Sequence, residues 1–408
     1  IDYQFCCNTI NFTAKPNLTE VDTLLTVQIP QEGFQRFTDL NLNFLKQYLN
    51  NMVIPNIVVD VSLFQVALTD IRIKDLNMPN VTYQFNDGTA NLQLKDLSFV
   101  FGFQFKVAQT TYPYISDAGD GELIFSADGG AEVSPYLHPE CTHHVQAFKE
   151  SGQFKISQFK IKMHGKLQYI YDSLLGLLST LLVEKINDEL YVQIFEEFVN
   201  GLNLGLLTLT SGDQSNGTDY YSDNRFIDVQ LKDGFLIAKM TGQVWWMENA
   251  TRTISQWMPT TQKSRIPILS NYNMQYFLQK DVYQTALNAF IEYTNKTDLR
   301  ITVQNFVRMG LLIDVENSKF TATLLMKPVQ RFVNTAFDNN DTRFQLEFNQ
   351  VVQCVGDCKQ AEELGTEIQD NSDKTVISIT TSNTMDEKDC VQIYISADFF
   401  HFGCEINS

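Results

Sequence analysis

The chain has 408 residues, with 30 Lys+Arg against 48 Asp+Glu and a formal net charge of −18 at pH 7. That balance excludes a nucleic-acid function, which needs clustered cations against phosphate, and any reliance on bulk attraction to anionic membranes. Hydrophobic residues at 44% and charged residues at 19% exclude a disordered chain and a coiled coil, and 30 Phe beside 16 Tyr and only 3 Trp imply much apolar surface facing something inside the fold.

The chain opens on Ile1-Asp2-Tyr3, as expected of a mature secreted chain after leader removal. Seven Asn-x-Ser/Thr sequons, at Asn11, Asn17, Asn80, Asn216, Asn249, Asn295 and Asn340, point the same way. A short strand over Leu24–Val27 precedes a helix over Gln31–Asn50, with Phe34, Phe37, Leu45, Tyr48 and Leu49 at helical spacing; Ile54-Pro55 stops it. Period-two strands follow at Ile57, Val59, Val61, Leu63 and at Val81, Tyr83, Phe85. The longest such face is Leu97, Phe99, Phe101, Phe103, Phe105, Val107, opposite Ser98, Gly102, Gln104 and Lys106. Asn86-Asp87-Gly88 and Asp128-Gly129-Gly130 read as hairpin turns. The expectation is a long, bent antiparallel sheet with one greasy face.

A single helix is predicted from Leu167 to Leu204, with apolar positions including Ile170, Leu174, Leu178, Leu181, Leu182, Ile186, Ile194 and Phe198. Between Leu174 and Val183 the apolar residues run nearly all round, so that section should be buried or face apolar ligand. Asp172 and Glu184 bracket it, and no stretch reaches the roughly 18 apolar residues of a membrane span. Periodicity disappears over 208–224, the linker candidate. Strands restart at Ile227, Val229, Leu231 and at Val244, Trp246; a helix is predicted over Gln275–Tyr293. Further strands fall at Ile301–Val303, Leu311–Val315, Phe320–Leu325, Phe344–Phe348, Val376–Ile379 and Val391–Ile395. The domain reading is therefore a first module over 1–207, a linker over 208–224 and a diverged second module over 225–408.

Four cysteines, Cys354, Cys358, Cys390 and Cys404, sit close together near the C-terminus and form two disulfides in any of three pairings. Cys141 can reach Cys6 or Cys7, leaving one thiol over. A zinc site is the weaker reading, because Cys354-x3-Cys358 lacks His partners or a second pair. His138, Cys141, His143 and His144 form the densest group of potential metal ligands, but adjacent histidines do not readily supply two tetrahedral positions. Lys155, Lys160, Lys162 and Lys166 alternate as on a solvated strand face, with lipid-headgroup contact as the sharper reading. Trp245-Trp246 and Trp257 flank the Asn249 sequon, which favours packing at a module junction over membrane anchoring. There is no Gly-x-Ser-x-Gly, His-Glu-x-x-His, phosphate loop or dinucleotide fingerprint, so no enzyme, catalytic residue or catalytic cofactor is read from the chain.

Three stretches carry a resemblance. Val27-Gln28-Ile29-Pro30-Gln31-Glu32-Gly33-Phe34 with its helix and Ile54-Pro55, the strand Ile71-Arg72-Ile73-Lys74-Asp75-Leu76, and Tyr272–Phe290 with Met274, Tyr276, Phe277 and Leu287 resemble the bactericidal/permeability-increasing protein family. That family includes lipopolysaccharide-binding, phospholipid transfer and cholesteryl ester transfer proteins. The resemblance implies an α+β boomerang of two barrel-like modules, each a twisted antiparallel sheet wrapped on a helix, joined by a central sheet. It also implies apolar tunnels that hold the acyl chains of a phospholipid. Carried over by position, the first tunnel would be lined by Phe34, Phe37 and Leu45, by Phe99, Phe101 and Phe103 of the sheet, and by Leu174, Leu178, Leu181, Leu182 and Ile186. The alternative is that these residues simply pack on one another.

The chain departs from the family's pattern in three ways. The family's disulfide from near Cys141 to the long helix has no partner here, since 192–199 contain no Cys. The acidic charge departs from the cationic first module of endotoxin-binding members, which sets aside an antibacterial reading. After Pro328 no second long amphipathic helix is evident, because Gln360–Asp373 is acidic and weakly periodic, so a smaller second module without a closed tunnel is expected. The functional expectation is a secreted or lumenal glycoprotein that sequesters or transfers phospholipid-like molecules, with transient membrane contact. The rival is an assembly protein that uses the lipid-filled fold as a building block, with partners or copies meeting at the C-terminal module.

Overall fold

The computed structural model describes residues 11–12, 23–36, 55–77, 80–138, 141–185, 199, 203, 212–214, 220–223, 225–246, 253–254, 272–334, 340–372, 377–381, 390–397 and 399–405. By contacts the chain divides into two units. The first comprises Phe37–Ser134 and Ala147–Leu204; the second comprises Ile1–Arg36, Pro135–Gln146 and Gly205–Ser408. The described residues are mostly β-strand with several helices.

In chain order the first elements are β1 (Asn11–Phe12), β2 (Leu25–Pro30) and the opening of α1 over 31–36. Then come β3 (Ile57–Val61), β4 (Phe64–Asn77), β5 (Asn80–Phe85), β6 (Ala90–Gln109), β7 (Ser116–His138), β8 (Cys141–His164) and α2 (Gln168–Lys185). The first unit's sheet has the order β3-β4-β6-β7-β8, with β5 paired to β6. Alternation decides its faces: β3 reads buried-exposed-buried throughout, and Leu97, Phe99, Phe101, Phe103, Phe105 and Val107 of β6 are all buried. Register shifts between Thr69 and Arg72, Ile73 and Asp75, and Leu94 and Leu97 mark β-bulges, which bend the strands and increase their twist.

Two sequence expectations fail here. Leu63 does not extend β3: the strand ends at Val61, Ser62 turns at φ 54°, and Leu63 is 51% exposed. Asp128-Gly129-Gly130 is not a hairpin turn but lies inside β7, opposite the β6 bulge. There Asp96 takes φ 61° and its N–H donates to the Asp128 carboxylate at 3.0 Å, so the polar residues serve a bulge. Asn86-Asp87-Gly88 does turn the chain, with Asn86 N–H donating to Thr89 O at 2.8 Å and Gly88 at φ 88°.

The second unit continues with β9 (Gly212–Gln214) and β10 (Tyr220–Asp223), so strands occupy part of the stretch read as linker. Their pairing is long-range in character, β10 joining β13, and leaves no periodic signal in so short a segment. There follow β11 (Phe226–Lys232), β12 (Phe235–Met240), β13 (Gln243–Trp246), β14 (Thr253–Ile254), β15 (Met274–Gln279) and α3 (Lys280–Thr294). The chain ends with β16 (Arg300–Val307), β17 (Gly310–Glu316), β18 (Phe320–Asn334), β19 (Asn340–Gly356), α4 (Cys358–Ser372), β20 (Ile377–Thr381), β21 (Cys390–Ile395) and β22 (Phe399–Cys404). One sheet runs β11-β12-β2-β15-β22-β21 and another β16-β17-β18-β19-β20.

Gln275–Gln279, expected to be helical, form β15 instead. This strand lies between β2 and β22, and Tyr276, Phe277 and Leu278 have no exposed surface. Burial on both faces erases the alternation that would have marked it as a strand. The acidic stretch after Pro328 is a helix, α4, with Ala361, Leu364, Gly365 and Ile368 buried. Its Glu362, Glu363 and Asp370 lie on the exposed side, so a narrow apolar stripe was masked by the charge around it. Cys354 is bonded to Cys358, and Cys390 to Cys404 directly opposite it across β21 and β22.

Candidate functional site

The candidate site is the apolar inner face of the first unit's sheet with the helix that packs on it. Phe99, Phe101 and Phe125 have no exposed surface, and their ring centroids lie 5.1 to 5.4 Å apart. Leu92 and Leu94 extend this face along β6, and Leu68, Val81, Tyr83 and Leu123 extend it on the neighbouring strands. Phe103 and Phe105 stand opposite Gly121 and Gly119 of β7. A Cβ on Gly121 would meet the Phe103 ring at 2.4 Å and Lys162 O at 2.5 Å, so the missing side chains make room for the rings.

The helix α2 presents Ile170, Tyr171, Leu174, Leu178 and Leu182 as a buried stripe. It is held to the sheet at one end by Tyr171, whose ring meets Phe105 edge-on at 5.2 Å and whose hydroxyl donates to Asp117 at the start of β7. The same carboxylate accepts Leu167 N–H at 2.9 Å and Ala118 N–H at 2.9 Å. The Tyr171 bond, followed by the backbone donors, holds the Asp117 carboxyl below its usual value. Burial first, then the Asp117 bond, pushes the Tyr171 phenol up to about 12. A Cβ on Gly165 would come within 2.4 Å of the Tyr171 hydroxyl, so glycine is what lets this anchor close. At positions 199 and 203 the chain is again helical, with both residues buried. Asn203 grips β8 there, accepting Ala147 N–H at 2.6 Å and donating to Ala147 O at 3.1 Å.

The residues expected to line a tunnel are not all brought together. Phe99, Phe101, Phe103, Leu174, Leu178 and Leu182 are buried in the first unit. Leu181 is 36% exposed and sits at the edge of the 174–178–182 stripe, not within it. Phe34 is half-buried and groups with the second unit. Phe37, Leu45 and Ile186 lie outside the described residues, as do Cys6, Cys7, Trp257 and the sequons at Asn17, Asn216 and Asn249. Asn11, Asn80 and Asn340 fall in strands, whereas Asn295 is exposed at the end of α3 in the left-handed conformation. The side chains of His138, Cys141, His143 and His144 are likewise outside the described set.

On the sheet's other face, Lys162 and Lys74 pair with Glu122 at 3.3 and 3.4 Å, while Lys155, Lys160 and Lys166 are exposed. Trp245 is buried beneath the second unit's own elements. Sequence reasoning missed Phe125, Tyr171, Asp117 and the paired glycines. The signal for the glycines was present, since Gly119 and Gly121 recur two apart, the spacing of one strand face. Among the described residues no group of three or more His, Cys, Asp or Glu is placed to hold a metal, and no helix is long and apolar enough to cross a membrane. A cleft of about 260 Å³ in the second unit, beside Pro328, Cys390 and Phe402, is bordered by the ion pair of Arg331 and Glu347 at 2.6 Å.

No family model and no curated protein matches the chain by sequence. Among solved structures, that of a lipopolysaccharide binding protein is similar at a TM-score of 0.57 and 10% identity, over 94% of this chain and 98% of that one. A Takeout 1 protein of Epiphyas postvittana matches 44% of this chain and 91% of its own at 10% identity and a TM-score of 0.31. The P47 protein of Clostridium botulinum E1 matches 95% of this chain and 99% of its own at 8% identity and 0.27. The first of these likenesses shows the fold. The chain thus has the bactericidal/permeability-increasing and lipopolysaccharide-binding protein fold.

Proposed function

We propose that the chain binds acyl lipids of the phospholipid class, held chiefly by the first unit, and that it sequesters or transfers them. The observation that carries the reading is the apolar face of β6, buried from Leu97 to Val107, together with the buried Leu174–Leu178–Leu182 stripe of α2, the helix whose Tyr171 packs on Phe105 of that face. Moving an acyl chain from water onto such a face gains roughly 0.8 kcal/mol per methylene, so no directional polar contact is needed for affinity. The fold is shared with a protein named for binding lipopolysaccharide, which supports a lipid ligand. The net charge of −18 supports a neutral or zwitterionic headgroup over a polyanionic one. Two disulfides fit an oxidising, extracellular or lumenal compartment.

The test is solvent extraction of natively purified protein followed by lipid mass spectrometry. Co-purified phospholipid that exchanges with vesicles is expected. In Leu178→Asp, whose side chain is 1% exposed, lipid stoichiometry should fall by at least about half, because an unpaired carboxylate on this face must be desolvated or protonated. A folded Leu178→Asp protein with full lipid content would refute the assignment of the site. Lipid in fixed ratio that never exchanges would instead mark the chain as a lipid-filled building block.

A further inference from the structure

The two disulfides of the second unit are placed in opposite ways. Cys390–Cys404 joins facing residues of β21 and β22, 14 residues apart, and Cys404 has no exposed surface. Cys354–Cys358 spans only 4 residues, from the end of β19 to the first residue of α4, with Cys358 exposed and Cys354 half-exposed. A cross-link stabilises mainly through the loop it closes in the unfolded chain, and so short a span contributes the less of the two.

The joint crossed by this bond is fixed without it. Between strand and helix stands only Asp357, whose N–H donates to Lys319 O at 3.3 Å. Its carboxylate accepts Gln360 N–H at 3.2 Å, and its carbonyl accepts Ala361 N–H at 3.3 Å. Gly356 takes φ 97°, and a Cβ there would meet Lys319 O at 2.3 Å, so the turn closes directly on the connection between β17 and β18. That connection is itself held, Asn317 Oδ1 accepting Lys319 N–H at 2.8 Å and Phe320 N–H at 3.0 Å. Ala361, Leu364 and Ile368 then bury one side of the helix. The sulfur bridge duplicates a link already made by backbone and packing. The strand beside it shows apolar side chains to water: Val355 is 69% exposed and Val352 is 54% exposed, on either side of Cys354. Val352 is the extra residue of a bulge between the Thr323–Gln353 and Leu324–Val351 pairs, a device that re-aims a side chain.

We infer that Cys354–Cys358 is a site of reversible thiol–disulfide exchange, opened by the vicinal dithiol of a partner protein that seats on Val352 and Val355. One thiolate of the dithiol attacks the exposed sulfur of Cys358; a mixed disulfide forms, and Cys354 leaves as a thiolate that takes up a proton. The partner's second thiol loses its proton and attacks its neighbour's sulfur in the mixed disulfide, and Cys358 leaves in turn and is protonated. Two electrons and two protons pass to the cysteine pair while the dithiol becomes a disulfide, and the reverse reaction restores the bond. The valines select a protein over glutathione, since a charged tripeptide has little apolar surface to lay on them. The inference makes no use of the lipid-binding reading.

The test is reduction of the folded full chain, with differential alkylation and peptide mapping to follow each bond. With dithiothreitol, Cys354–Cys358 opens at least about tenfold faster than Cys390–Cys404, because access to the sulfur sets the rate. With thioredoxin as the protein dithiol, wild type reacts, whereas Val352→Ser with Val355→Ser slows the reaction about tenfold and leaves the dithiothreitol rate within about twofold. A thioredoxin lacking its second active-site cysteine is captured on Cys358. The chain carrying Cys354→Ser and Cys358→Ser stays folded by circular dichroism, because the joint stands without the bond. Equal rates for the two disulfides, or unfolding when this bond alone is opened or removed, would overturn the inference. So would an unaltered thioredoxin rate in the valine variant, capture anywhere but Cys358, or glutathione reacting as fast as thioredoxin.

Discussion

His401 shows how one polar side chain can sit in an apolar sheet. It has no exposed surface, its Nε2 lies 3.0 Å from Gln275 Oε1, and its ring stacks on Phe277 at 4.1 Å. Against the Gln275 oxygen, Nε2 must carry the proton, which leaves Nδ1 as an acceptor in the neutral imidazole. Burial depresses the native value from 6.5 to about 4. The unfolded state therefore binds more protons between those values, so the stabilising contribution of the neutral ring is full above about 6.5 and is lost as pH falls toward about 4. Urea unfolding of wild type and His401→Gln at pH 7.0, 5.5 and 4.5 checks this by difference, since other titrating groups cancel. The wild-type midpoint is expected to drop further than that of the variant. Parallel pH profiles would show that His401 does not couple to folding.

At the scale of an element, β7 is explained by the strand beside it. Gly121 and Gly119 lie in register with Phe103 and Phe105, and the rings occupy the space that two side chains would fill. Gly121→Ala must displace either the Phe103 ring or the Lys162 carbonyl, so a loss of about 1 to 3 kcal/mol is expected in chemical denaturation. Gly130→Ala, whose Cβ would meet Leu92 O at a far less severe 3.2 Å, should cost less. Equal costs would mean that the rings are free to move aside. This pairing also explains what could be read from the chain. The β6 face was legible because one side of the strand is apolar and the other polar, leaving period two intact. β15 was not legible, since Tyr276, Phe277 and Leu278 are buried on both faces and imitate a helix. The polar Asp128-Gly129-Gly130 reads as a turn in the sequence because a bulge and a turn demand the same residue types. On α2 the near-uniform run of leucines identifies the helix but does not rank its sides, so the sequence alone does not separate the 36% exposed Leu181 from the buried Leu178 and Leu182. The anchor of Tyr171 on Asp117 joins residues 54 apart and leaves no local pattern at all.

Across the whole chain, the two units fasten helix to sheet by different means. In the second unit contact is direct. A Cβ on Gly365 of α4 would stand 2.4 Å from the Phe348 ring, and Gln369 of the same helix accepts Phe348 N–H at 2.9 Å. On α3, Gln284 accepts Val303 N–H at 2.7 Å and donates to Ile301 O at 3.1 Å, beside Tyr283 packed edge-on against Phe306. An acyl chain cannot enter these contacts without breaking the bonds of Gln284 to the part-buried backbone of β16 and the bond of Gln369 to β19. In the first unit α2 meets the sheet through Tyr171 and its buried leucines, and the hydroxyls of Ser173, Ser179 and Thr180 bond to carbonyls of the helix itself. Apolar side chains can part and close on an acyl chain with little change in their surroundings. Lipid occupancy is therefore expected to respond to the two units unequally. In the full chain, Leu182→Asp should empty the protein, whereas Leu364→Ala, which opens space under α4, should leave lipid stoichiometry unchanged while costing about 2 to 5 kcal/mol of stability. Quantitative lipid extraction from both purified variants decides the matter: a greater loss of lipid from Leu364→Ala would place the ligand in the second unit and reverse the assignment.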